Sequence, residues 1–217
     1  MAIARDEDYT KVDSFGDDFN VEDRPAQNTS TVVQSGWDAA EKLTPTGDYP
    51  VDFKASETFQ VIKFLDTSGP FASYKMHFLQ NKVGKKSYVC LGANCPLCVV
   101  LKHRPEDKRS FSIVNFSVDP FQRQILTATP RLFKTLHTAE FSPQGPLTKN
   151  FWALSRSGVK QTTVYHFNAV KARDLQEDWG IDGNAAEAFL ATVEPYPRSA
   201  IRENSFAELA EIAEELA

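Results

Sequence analysis

A mainly β fold, antiparallel and interrupted by short helices, is the class that this sequence predicts, and three observations predict it. Between Pro50 and Phe167 apolar residues recur in short alternating runs broken by Gly, Pro, Asp and Ser, with no regular succession of strand and helix. Three cysteines fall in one short stretch, Cys90-x4-Cys95-x2-Cys98. Charge is segregated: residues 51–173 carry 18 Lys and Arg against 7 Asp and Glu, residues 1–50 carry 4 against 11, and residues 174–217 carry 2 against 11. The formal charge of −5 therefore conceals a basic middle between acidic ends.

Taken in order, residues 1–35 are acidic and polar with scattered single aromatics, too little apolar surface to offset ordering, and read as a disordered acidic arm. Trp37–Leu43 has the spacing of two helical turns and reads as a cap on the core before the turn-rich residues 44–50. Strands follow at 59–65, 73–80 and 87–91, and the last two form a hairpin. With Val83-Gly84 as its two-residue loop, His77 falls opposite Cys90. Further strands are predicted at 111–118, 123–126, 150–155 and 161–167, the last two joined as a second hairpin around Arg156-Ser-Gly158. Thr129-Pro130 opens a short helix as N-cap and first helical residue. Short strands joined by hairpins, with one inserted helix, point to a small OB-like antiparallel barrel with an inserted zinc-binding loop. The domain reading is a core at 36–180 and an acidic helical C-terminal tail at 181–217, in which Ser205 and Glu208 have capping-box spacing.

The cysteine spacing carries the chemistry. A Cys-x-x-Cys turn presents two thiolates to one ion and a third cysteine upstream closes over it, whereas three clustered thiols always leave one unpaired as disulfides. A structural zinc takes four ligands, so a fourth must come from elsewhere. His77 is the first choice and His103 the alternative. An iron–sulfur loop lacks its fourth cysteine, and three thiolates leave little Lewis acidity for catalysis. The metal set is thus His77, Cys90, Cys95 and Cys98 with Zn2+ as cofactor.

Around this set, cations interleave with aromatics, the two ingredients of a groove that tracks phosphates and stacks bases. The candidates are Tyr74, Lys85, Lys86, Tyr88, Lys102, Arg104, Lys108, Arg109 and Phe111, then Arg131, Lys134, Lys149, Trp152, Arg156 and Lys160. No phosphate-binding glycine loop, nucleophile elbow or His-Glu-x-x-His motif occurs, which favours a binding protein over an enzyme. No apolar run approaches the roughly 20 residues of a membrane span.

Two stretches, Tyr88–Cys98 and Gly145–Ser155, resemble a family of single-stranded DNA-binding proteins of actinobacteriophages, over about Lys54 to Trp179. The ligand pattern is also similar to that of the helix-destabilising proteins of T-even phages, whose zinc sits beside an OB fold on one histidine and three cysteines. The loop between Cys90 and Cys95 is shorter here, so the sites are analogous. The resemblance implies a protein that coats single-stranded DNA in phage replication, recombination and repair, in the cytoplasm of the bacterial host. It also implies an acidic tail that recruits replication or recombination proteins or guards the groove; the alternative for the tail is a short helix packed on the core. The other functional readings are a zinc-scaffolded adaptor or transcription modulator, and an RNA-binding protein.

Overall fold

The computed structural model describes residues 50–81, 84–159 and 162–217. The segments 1–35 and 37–43 lie outside the described residues. Seven strands form one antiparallel sheet: β1 (Gln60–Phe64), β2 (Ala72–Asn81), β3 (Gly84–Val89), β4 (Glu106–Asn115), β5 (Gln122–Ala128), β6 (Phe151–Ser157) and β7 (Val164–Val170). The helices are α1 (Pro96–Val99), α2 (Pro130–Glu140), α3 (Leu175–Trp179), α4 (Gly183–Leu190) and α5 (Phe206–Leu216).

β4 organises the sheet. One edge carries β5, from Arg109 paired with Ala128 to Asn115 paired with Gln122. The other edge is shared: Glu106–Ser110 pairs with Met76–Ala72 of β2, and Ile113–Asn115 pairs with Phe64–Ile62 of β1. β1 and β2 therefore run end to end along β4, with residues 66–71 looped out between them. At the seam the Ser112 N–H donates to the Asp66 carboxylate. β1 continues outward through β6 to β7, and β2 continues to β3. Among the described residues no ladder joins β7 back to β3 or β5, so the closed ring of strands that the pattern suggested is not part of the described sheet.

Both faces of the sheet are covered. On one, Ile62, Phe64, Phe111, Ile113, Leu126, Trp152 and Leu154 pack under Leu132 and Leu136 of α2. Thr129 accepts a hydrogen bond from the Leu132 N–H and Pro130 occupies the first turn, as the sequence predicts. On the other face, Val61, Val114, Phe116, Phe151 and Ala153 meet Leu175, Ile181 and Ala186 of the α3–α4 region. Each fully buried aliphatic or aromatic side chain contributes about 1.5–3 kcal/mol relative to exposure, so these two layers hold the body together. A strap follows α4, where the Tyr196 N–H donates to Ser112 Oγ at 2.8 Å and its ring carries Arg123 at 4.1 Å.

Beyond the body, the β2–β3 hairpin projects with its own small core of Leu79, Tyr88, Cys95, Leu97, Leu209 and Ala213. The capping box at Ser205 and Glu208 is formed, and α5 lays its apolar stripe on this module. Residues 181–217 thus pack on the rest of the fold, α4 on the sheet and α5 on the hairpin module.

The hairpin register differs from the sequence reading. Asn81 pairs with Gly84, so His77 faces Tyr88 and not Cys90. A slip of two residues keeps every side chain on its face, so alternation of burial could not reveal it; only a one-residue slip would have inverted the pattern.

Two predictions follow from the packing. Leu209→Ala removes a fully buried side chain at a cost of about 2–5 kcal/mol. Hydrogen exchange should show the loss in α5 and β3, with the β4–β5 amides still protected. At the seam, burial pushes the Asp66 carboxyl up to about 6, against the opposing effect of the Ser112 N–H. A raised carboxyl pKa stabilises the fold while the group is protonated, and that contribution fades as pH rises through 6. Asp66→Asn should therefore gain stability relative to the parent as pH rises from 3.8 to about 6 in urea titrations, with the difference levelling off above that.

Candidate metal centre and its surroundings

The hairpin brings the four predicted ligands to one point. His77 is fully buried on β2, on the same side as Leu79 and Tyr88. Cys90 follows β3 directly, and its N–H still donates to Lys75 O at 2.8 Å. It is the diagonal neighbour of His77, which serves ligation as well as a direct pairing would. Gly92 then turns the chain at φ 89°, a conformation that disfavours any residue with a Cβ. Cys95 N–H donates to Gly92 O at 3.1 Å, Pro96 starts α1, and Cys98 N–H returns to Cys95 O at 3.0 Å. The one-turn helix thus presents Cys95 and Cys98 side by side.

Their donor atoms all lie within 4.8 Å of one another. Tetrahedral zinc, with Zn–S near 2.3 Å and Zn–N near 2.05 Å, demands sulfur–sulfur separations of about 3.8 Å and sulfur–nitrogen separations of about 3.6 Å. Cys90 Sγ and Cys98 Sγ are 3.6 Å apart, and His77 Nε2 is 3.5 Å from both Cys95 Sγ and Cys98 Sγ. A disulfide would need about 2.05 Å. All three cysteines are free thiols. His77, Cys90, Cys95 and Cys98 form a metal-binding group with the dimensions of zinc.

The electrostatics agree. Burial, then the neighbouring Cys90 and Cys95 sulfurs, push the Cys98 thiol up to about 12, because packed sulfurs cannot all ionise without a counter-charge. A dication at their centre supplies that charge. At Cys95 burial raises the pKa, but hydrogen bonds from the backbone around Leu91, Cys98 and Leu97 prevail and hold it below the ordinary value. Burial, assisted by His103, lowers His77, which favours the neutral imidazole a metal requires.

His103 stands behind this set. Its Nδ1 lies 3.0 Å from His77 Nδ1. With His77 Nε2 directed at the sulfurs, His77 Nδ1 carries the proton and donates it to His103 Nδ1, fixing tautomer and ring plane. The His103 N–H is itself tied to Leu97 O at 3.2 Å, which connects this support to α1. Sequence spacing left His77 and His103 as rivals; the geometry gives them different tasks.

The other predicted site residues scatter. Tyr88, Phe111 and Trp152 are buried, so none offers a ring face to a ligand. Trp152 donates from Nε1 to Leu147 O at 2.7 Å and stacks on Phe167 at 4.4 Å. Tyr74 is half buried, its hydroxyl 3.2 Å from Ser110 Oγ, and Lys108 pairs with Glu106 at 2.8 Å. Lys86 is exposed opposite Leu79, and Lys102 and Arg104 are exposed on either side of His103. Lys85 pairs with Gln80 near the hairpin turn, and Lys160 lies outside the described residues. Lys149 and Arg156 are exposed at opposite ends of β6, a strand long enough to hold them about 20 Å apart.

A smaller set converges on the face that carries α2. Lys75 and Arg109 lie on it where β2 and β4 pass the core, and the Arg109 guanidinium sits 4.2 Å over the Phe133 ring. Across α2, Arg131 and Lys134 share a cleft with Phe167, and Arg156 is paired with Tyr165 on the same face. Sequence reasoning missed the rings of α2 itself: Phe133 to His137 is 5.7 Å and His137 to Phe141 is 4.8 Å between centroids. Their i, i+4, i+8 spacing was the available signal.

No helix of the described residues is long and apolar enough to cross a membrane. No known protein family, curated protein or solved structure matches the chain.

Substituting Cys95→Ser should reduce bound zinc in elemental analysis and lower the melting temperature, because metal binding here is folding energy for the hairpin. His103→Ala should keep all four ligands yet weaken zinc about 10- to 100-fold in competition with a chromophoric chelator. Chelation of the parent protein should expose β3 and α5 to hydrogen exchange before β4 and β5.

Proposed function

We propose that this protein binds single-stranded DNA with little sequence preference, through the sheet face that carries α2, and that a structural zinc holds the adjoining hairpin. The observation that carries the reading is the arrangement of charge and rings on that face. Lys75 and Arg109 on one flank of α2, and Lys134 and Arg156 on the other, stand beside the partly exposed rings of Phe133, Tyr165 and Phe167. Helices α3 and α4, with Glu177, Asp178, Asp182 and Glu187 in and around them, cover the opposite face. Phosphates favour the first face by counterion release, and bases find aromatic surface beside it.

The OB-like reading of the core rests on β4, which is shared between two halves of the sheet in the manner of a strand that turns a barrel corner. The resemblance of residues 88–98 and 145–155 to single-stranded DNA-binding proteins of actinobacteriophages supports the same role. On that reading the protein coats unpaired strands during phage replication, recombination and repair in the host cytoplasm, without an enzymatic step. The acidic exposed side of α5 is then the surface offered to partner replication proteins.

Anisotropy of a labelled oligo-dT should show binding whose logarithm falls linearly with the logarithm of salt concentration. Lys75→Ala and Arg109→Ala should each weaken binding and reduce that slope by about one, whereas Arg198→Ala, in the strap after α4, should leave it unchanged. No binding of oligo-dT at low salt would remove the proposal. A matched RNA oligomer that binds more tightly would replace DNA by RNA as the ligand.

A further inference from the structure

Beside α2, on the flank of Arg109, a cleft of about 400 Å³ opens between the helix and the 66–71 loop. Its base is apolar and already packed, with Phe111, Leu136 and Leu147 nearly or fully buried. One wall is the α2 ladder of Phe133, His137 and Phe141, and the facing wall is the short-side-chained run Thr67-Ser68-Gly69-Pro70. Phe141 is 77% exposed, the most exposed of the large hydrophobic side chains in the described residues. Burial in the fold does not account for that ring.

The walls have the chemistry of a site for a flat, polar-edged ring. The cleft's size falls within the roughly 300–1,000 Å³ of small-ligand sites. The Phe141 ring offers an open π-face, the rings of His137 and Phe133 follow it at tilts of 55° and 52°, and the row ends in a cation, since Arg109 covers Phe133 at 4.2 Å. At the rim, Glu140 Oε2 accepts from the Leu147 N–H at 2.7 Å, which holds the carboxylate in place beside the opening. Its remaining oxygen can accept from the N–H edge of a base, and the Thr67 and Ser68 hydroxyls can donate or accept. Lys75 and Arg109, on paired strands next to the cleft, place positive charge where the phosphates of the same strand would run.

We propose that this cleft takes one unstacked nucleobase of the bound strand, stacked on Phe141 beside His137 with its polar edge toward Glu140 and Ser68. The proposal rests on the single-strand-binding reading and gives that face a definite anchoring point. A base held in this way fixes the strand's register against α2, while the flanking phosphates contribute affinity without selecting a sequence.

The test uses the full chain and a single-stranded oligonucleotide carrying 2-aminopurine at one position, read by its fluorescence and by affinity. The ring at Phe141 is so exposed that Phe141→Ala leaves the fold intact, which melting checks. Stacking of one base on one ring is a roughly fivefold to hundredfold effect. Phe141→Ala should weaken binding by about tenfold, abolish the 2-aminopurine response at saturation and leave the salt slope unchanged, and Phe141→Trp should restore both. If Phe141→Ala matches the parent in affinity and fluorescence while Lys75→Ala and Arg109→Ala still weaken binding, the base pocket is wrong and the binding reading survives. If the parent chain binds no oligonucleotide at low salt, both fall together.

Discussion

The architecture depends on one edge of β4 being shared by two strands. Because β1 and β2 follow one another along that edge, a single ten-residue strand joins the body to the projecting hairpin. The seam between them is a place where backbone groups could be left without partners. Ser112 resolves it on both sides, its N–H bonded to Asp66 and its hydroxyl accepting from the Tyr196 N–H. Burial of an N–H without a partner would cost about 1–3 kcal/mol, and the Asp66 carboxylate supplies that partner. The looped-out residues 66–71 are also what form the outer wall of the cleft beside α2. One pairing constraint thus sets the sheet, the hairpin and the cleft.

The hairpin, once projected, has too little apolar surface to fold by itself. Its core is a handful of side chains, and an isolated two-stranded hairpin is marginal in water. Two devices compensate. The metal group cross-links β2, β3 and α1 through His77, Cys90, Cys95 and Cys98, and α5 adds Leu209 and Ala213 from the far end of the chain. Neither is sufficient alone, because α5 rests on Leu97 and Cys95, whose positions depend on the ligand loop. Ligand geometry and helix docking are therefore one cooperative unit, and His103 belongs to it through its contacts with both His77 and Leu97.

Much of this was legible in the sequence, and the failures have physical causes. The metal quartet could be read because cysteine spacing is local and because a strand's period of two fixes which histidine shares the face. The register could not, since a two-residue slip leaves burial unchanged. The start of β4 was missed because Glu106-Asp-Lys-Arg109 is charged, and it pairs with β2 where no core covers it. Phe111 and Trp152 lie where the sheet is covered on both faces, so no alternation separates inward from outward rings, and Tyr88 turns into the hairpin's own core. The row of rings along α2 is legible in its spacing, with Phe133, His137 and Phe141 at i, i+4 and i+8. The C-terminal helix is legible in its capping box and apolar spacing, but its charge left open whether it packs, which Leu209 and Ala213 decide.

A chain of net charge −5 can still present an attractive surface to a polyanion if its charges are kept apart by more than the screening length. Here the fold does the separating. Ser73, beside Arg109, and Leu79, under α5, are six residues apart on β2, or about 20 Å along a strand. That is roughly two Debye lengths at physiological salt, so the glutamates of α5 do little to cancel the field at Arg109. Were α5 unanchored, the same glutamates could reach the cations and compete with phosphates for them. Holding the acidic helix against the hairpin module thus keeps it away from the cations of the α2 face, which is what the proposed binding of a polyanion asks of the metal centre.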